Sequence, residues 1–229
     1  MARALLGLIL LLAVPEDPTF TLQGAVTLKG PPPLPKMIKQ IEGDQGCFAL
    51  HKDLPLREDL LADKDGGVRW AFVYVKKGLE GKTFAPPKEA LMLDQKGCLY
   101  IPHVFGIQVG QPLRILNSDP MLHNVFGLGF VNPQFNDSVP PGGEIQRAFK
   151  QPEQMYSFKC SIHPWMGAWA GVVDHPFFAV TDGAGKYEIK GLPAGKYTVA
   201  VWQEKCGATE QEIEVGQGAT LDFLLAARK

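Results

Sequence analysis

The chain has 229 residues, with 23 basic and 24 acidic side chains and a net charge of −1. That balance excludes an electrostatic nucleic-acid binder, which needs a concentrated basic surface; 45% hydrophobic and 21% charged residues suit a chain with a sizeable core. The 25 glycines and 19 prolines disfavour long helices and predict short strands joined by many turns. Four cysteines are too few for a disulfide scaffold at this length, so each needs its own explanation.

Residues 1–14 place Arg3 before the apolar run Ala4 to Val14. The run is shorter than the roughly 20 residues of a membrane-spanning helix and reads as a secretory signal, although Leu12-Ala13-Val14 is a poor small-x-small cleavage site. An uncleaved anchor or a buried N-terminal strand is the alternative. The expectation is an exported protein, periplasmic or extracytoplasmic, with no membrane span beyond this signal or anchor.

Residues 15–67 form an N-terminal extension. Its Ala25-Val26-Thr27-Leu28 strand runs into Pro31-Pro32-Pro33-Leu34-Pro35, an extended connector. A weak helix is expected over Leu54 to Asp63. Val68 to Val75 is a β-rich apolar run between glycines, and Gly106 to Ile115 gives two short runs broken at Gly110-Gln111-Pro112. Met155 to Lys159 alternates up to Cys160, which places that cysteine at a strand end.

The remainder alternates most clearly: Tyr187 and Ile189, then Tyr197, Val199 and Val201, then Ile213 and Val215, then Leu221, Phe223 and Leu225. Period-two patterning over four runs with glycine-containing turns predicts a small β-sandwich. The segment TDGAGKYEIKGLPAGKYTVAVW resembles the transthyretin-like, carboxypeptidase regulatory-like modules. That resemblance implies a fold and little chemistry.

Enzymatic signatures fail. Gly81-Lys82-Thr83 lacks the glycine of a phosphate loop, because Lys76 stands in its place. Gly183-Ala184-Gly185 is followed by Glu188 where a dinucleotide fingerprint needs glycine. No serine sits in a G-x-S-x-G elbow. With no visible pocket of acid and base groups, the chain is expected not to be an enzyme.

Chemistry concentrates in Cys160-Ser161-Ile162-His163-Pro164-Trp165-Met166, a C-x2-H-x2-M loop, with His123 lying 37 residues before Cys160 in NSDPMLHNVF. Two imidazoles and a thiolate with a weak axial thioether are what one type 1 copper ion requires. The site would carry +1 when oxidised and 0 when reduced. Zinc could use His123, Cys160 and His163 but would leave Met166 without a purpose. A binuclear copper centre would need a second cysteine in the loop.

VGQPLRILNSD, His123-Asn124-Val125 and the C-x2-H-x2-M loop together resemble the cupredoxins, the blue copper proteins that include plastocyanin and amicyanin. The resemblance covers about Val68 to Asp174 and implies an all-β, Greek-key sandwich with one Cu(I)/Cu(II) ion. It also implies that Asn124, following the first histidine ligand, ties the two ligand loops together near the thiolate. The expected order is thus a copper domain over 68–175 and a transthyretin-like module over 176–229, with the GAVTLKG strand of the extension able to pair with either sandwich.

Cys47 and Cys98 would form a disulfide in an exported protein, or remain two buried thiols; Cys206 has no evident partner. His103 and His175 are either structural or auxiliary, and His51 supports no functional claim. Pro164 and Trp165 would form part of an apolar rim where redox proteins dock briefly. The functional expectation is a single-electron carrier between redox partners. The alternatives are a copper-binding or storage protein, and an extracytoplasmic adhesion or carbohydrate-binding module.

Overall fold

A computed structural model describes residues 18–228 of the chain; the expected signal over 1–14 lies outside the described residues. The described chain is all-β, with a 3-10 turn at Lys39–Gly43 and a four-residue helix at Gln45–Phe48. Frequent glycines make the turns. Gly110, at an expected turn, and Gly142 and Gly185 all adopt positive φ, where a side chain would be strained.

Four larger sheets form two sandwiches. In the first, a five-stranded sheet runs in the order Phe135–Val139, His123–Leu128, Glu153–Lys159, Gly167–Val173, Val104–Gln108. It faces a four-stranded sheet ordered Glu144–Arg147, Leu113–Asn117, Leu91–Gln95, Tyr100–Ile101. Leu93, Ile107, Leu113, Ile115, Val125, Tyr156 and Phe158 fill the space between, and Ile38 and Ile41 of the N-terminal extension join the same core.

The second sandwich pairs Lys186–Pro193, Thr19–Leu28 and Phe223–Leu225 against Phe178–Val180, Phe72–Lys77, Gly195–Gln203 and Gly207–Val215. The expected boundaries at residues 67/68 and 175/176 therefore do not divide the sheets. Thr19–Leu28 and Phe72–Lys77 both belong with the C-terminal strands, so the first sandwich is inserted within the second. The reason is burial on two sides. Val73 and Val75 point into the second core, while Phe72 and Tyr74 point into a cluster shared with Val104 and Val173 of the first sandwich. A continuous apolar run of this kind requires cover on both faces, and its pattern does not say which sheet supplies its neighbours.

The apolar run expected from Val68 to Val75 is interrupted at Trp70, which takes φ 65° and separates Val68–Arg69 from Phe72–Lys77. The helix expected over Leu54 to Asp63 is also absent. Ile38 N–H donates to the Pro55 carbonyl at 2.9 Å and Arg57 N–H to the Lys36 carbonyl at 2.7 Å. Extended pairing thus takes the backbone groups that a helix would have used.

Candidate metal centre

Antiparallel pairing of His123–Leu128 with Glu153–Lys159, matching Phe158 to Gly127, puts the start of one strand beside the end of the other. The next antiparallel strand, Gly167–Val173, is reached through the loop Cys160 to Met166. Sheet register therefore carries His123 to the loop that contains Cys160 and His163. One nitrogen from each histidine and the Cys160 sulfur all lie within 4.8 Å of one another, and the three residues are buried.

The two Nδ1 atoms face each other at 2.9 Å, and Cys160 Sγ lies 3.7 Å from His163 Nδ1. The outer nitrogens face carboxylates: His123 Nε2 is 2.9 Å from Asp119 Oδ2, and His163 Nε2 is 3.6 Å from Asp44 Oδ2, an ion-pair distance. A carboxylate accepts but does not donate, so the proton of His123 belongs on Nε2, and Asp44 favours the same for His163. Once the proton between the rings is released, two Nδ1 lone pairs and one sulfur converge on a single point. A cation is what such a donor set accommodates, and its mix of imidazole and thiolate suits copper or zinc.

Proton affinities follow this arrangement. Burial disfavours the His123 imidazolium, but the bonds to Asp119 and Cys160 outweigh it and push its pKa up to about 9. Burial and then the charge on His123 hold His163 below the usual histidine value, so the two rings share one proton. Burial opposes ionisation of Cys160, but His123 and nearby backbone groups lower the thiol overall.

Asn124 bridges the His123 strand and the Cys160 loop. Its Oδ1 accepts from Ser161 N–H at 2.6 Å and from the Cys160 thiol at 3.3 Å, while its Nδ2 donates to Ser161 Oγ at 3.3 Å. Met166 is buried in the same core as Cys160, and its amide donates to the His163 carbonyl at 2.9 Å. Pro164 is exposed and Trp165 half-buried. The Trp165 ring centroid is 5.3 Å from that of His163, and its Nε1–H donates to the Cys98 carbonyl at 3.0 Å. Both residues line a cleft of about 420 Å³, with Arg57, His103 and Glu204 on other walls.

Cys47 and Cys98 are disulfide-bonded, while Cys160 and Cys206 are free. His175 Nε2 meets the Val75 carbonyl at 2.8 Å, and His51 Nε2 the Gly97 carbonyl at 2.7 Å. Sequence reasoning passed over Asp119 and Asp44. Asp119 stands four residues before His123 in the polar loop NSDPMLHNVF. Asp44 carries a helix-capping signal, since its Oδ1 accepts from Cys47 N–H at 2.9 Å.

Fold and site define an all-β protein with a buried cluster of two imidazoles and one thiol at the end of a sandwich. No family model and no curated protein matches the chain. Among solved structures it is similar to the Cu-containing nitrite reductase (NirK) from Thermus scotoductus SA-01, at 22% identity over 42% of this chain and 24% of that one, with TM-score 0.34. It is also similar to a Cu(I) amicyanin mutant, at 20% identity over 36% of this chain and 81% of that one, TM-score 0.33. A reduced amicyanin mutant gives 19% identity over 44% of this chain and 97% of that one, TM-score 0.34. The chain thus spans about a quarter of the nitrite reductase. Likenesses this partial carry no weight for the site, which stands on its own atoms.

Proposed function

We propose that this chain is an exported type 1 copper protein that carries single electrons between redox partners, holding one ion through His123, Cys160, His163 and Met166. The observation that carries the reading is the convergence of three buried donors, with both Nδ1 atoms turned inward and both Nε2 atoms turned toward carboxylates. Bound there, copper would supply a one-electron Cu(II)/Cu(I) couple. The protein's part is to hold the donors still: Asp119 fixes the His123 tautomer, and Asn124 ties the Cys160 loop to the His123 strand. Met166 would add a thioether in this reading, a soft donor that copper uses and zinc does not. In this reading the buried donors serve a carrier rather than an enzyme. The Cys47–Cys98 bond supports export, because structural disulfides persist in oxidising compartments.

Redox proteins would dock at exposed Pro164 and half-buried Trp165, through which an electron reaches His163. Trp165→Ala should then slow exchange with a partner far more than it shifts the reduction potential; a shift in potential alone overturns the docking role. The inserted arrangement makes the second sandwich, read as transthyretin-like, a rigid base for the first.

One observation favours copper storage as a second reading: His163 is only 3% exposed, with Asp44 against its outer edge. Reconstitution with Cu(II) tests both. Type 1 copper gives an intense visible thiolate band that is absent in Cys160→Ser and cycles with reductant and oxidant. Absence of the band in the native chain overturns the assignment. A band that cycles without electron exchange with any exported redox protein points to storage.

A further inference from the structure

The N-terminal extension meets the ligand cluster at one covalent bond. Cys47 and Cys98, 51 residues apart in sequence with Cα atoms 5.7 Å apart, are both fully buried. Their sulfurs lie against the imidazoles: donor atoms of Cys47, Cys98 and His163 fall within 4.8 Å of one another, as do those of Cys98, Asp119 and His123. Each half-cystine also holds a carboxylate by its own amide. Cys47 N–H donates to Asp44 Oδ1 at 2.9 Å, and Cys98 N–H donates to Asp119 Oδ2 at 2.7 Å. Asp44 faces His163 and Asp119 faces His123.

We propose that the Cys47–Cys98 disulfide is a positioning element of the metal site, clamping a carboxylate of the N-terminal extension against the outer edge of His163. Asp119 does not depend on the clamp. It also accepts from Gly97 N–H at 2.6 Å, and its own amide donates to Asn117 Oδ1 at 3.0 Å, all within the first sandwich. Asp44 is held only through its own segment: its amide donates to the carbonyl of buried Ile41 at 3.0 Å, and its carboxylate accepts from Cys47 N–H. It caps the four-residue helix Gln45–Phe48, which is too short to persist by itself, and its side chain is 40% exposed. Opening the bond therefore leaves Asp44 tethered only by Ile38 and Ile41 and loosens it and His163, while His123 stays held. This asymmetry separates a positioning role from a general contribution to stability. The inference rests on reading His163 as a metal ligand.

The test compares the native chain with Cys47→Ser/Cys98→Ser and with Asp44→Asn, which leaves the disulfide and both cores intact. In the metal-free proteins, nitrogen-15 NMR follows exchange of the imidazole Nε2 protons. His163 exchange should accelerate at least tenfold in both variants while His123 remains unchanged. Equal acceleration at both histidines, or none at His163, overturns the proposal. With Cu(II), competition against a chelator should show affinity about 10–100-fold weaker in both variants, the usual effect of losing a partner of a ligating histidine, with a shifted visible band. Unchanged affinity and band also overturn it. A native chain with no thiolate–copper band would instead overturn the copper reading, and the metal-free exchange result would still stand.

Discussion

His123 meets acceptors or lone pairs on both ring edges: Asp119 at Nε2, and His163 with Cys160 around Nδ1. A metal entering the cluster must displace the Nδ1 proton of a ring whose pKa is pushed up to about 9. On the copper reading, affinity of the metal-free chain should therefore rise about tenfold per pH unit for that proton and level off above about pH 9. Chelator competition at several pH values measures the slope. Asn124 acts through its amide, which satisfies the Ser161 N–H at 2.6 Å. Asn124→Ala should lower stability by about 0.5–1.5 kcal/mol, the usual net worth of a hydrogen bond whose donor can turn to water, as read from denaturant unfolding of the metal-free protein.

Among the elements, the paired strands Val104–Gln108 and Gly167–Val173 do two tasks. One end of the second strand receives the ligand loop, and its middle packs on the second sandwich. That packing requires glycine at two register-matched positions, Gly106 and Gly171. A Cβ on Gly171 would meet Phe72 ring atoms at 2.2 Å, and one on Gly106 would meet the Phe178 ring at 2.2 Å. Phe72 is fully buried and has little room to withdraw, so Gly171→Ala should destabilise by about 1–3 kcal/mol, the usual cost of overpacking. The thermal midpoint checks it, and the copper band of a folded variant should be unchanged if strain stays at the sheet interface.

For the molecule as a whole, His103 joins the two sandwiches next to the ligand loop. Its Nδ1 meets the Gly167 carbonyl at 3.0 Å and its Nε2 meets Glu204 at 2.9 Å. Both partners are acceptors, so the ring satisfies both only when protonated, as the imidazolium. Burial disfavours that charge, yet the bond to Glu204 outweighs it and raises the pKa above its ordinary 6.5. A raised folded-state pKa stabilises fully below about 6.5 and is lost as pH climbs through the raised value. The thermal midpoint of the native chain should fall across that window relative to His103→Gln, which removes this contribution. Equal slopes for the two proteins would show that the bridge does not couple the sandwiches.

Much of this was legible in the amino-acid order. Alternation and glycine turns mark the strands because the side-chain period of a strand is local. His123 opening a strand and Cys160 ending one could be read for the same reason, and Cys160, His163 and Met166 share a seven-residue segment. Local order therefore suffices for an all-β chain and a short list of candidate donors. Tertiary structure decided which sheet received Phe72–Lys77, how the sandwiches nest, and which carboxylates stand behind the imidazoles. Asp44 lies 119 residues before His163 in the numbering, and only the Cys47–Cys98 bond and the buried Ile38 and Ile41 bring it there. Such contacts depend on how the chain closes on itself, which no local periodicity records.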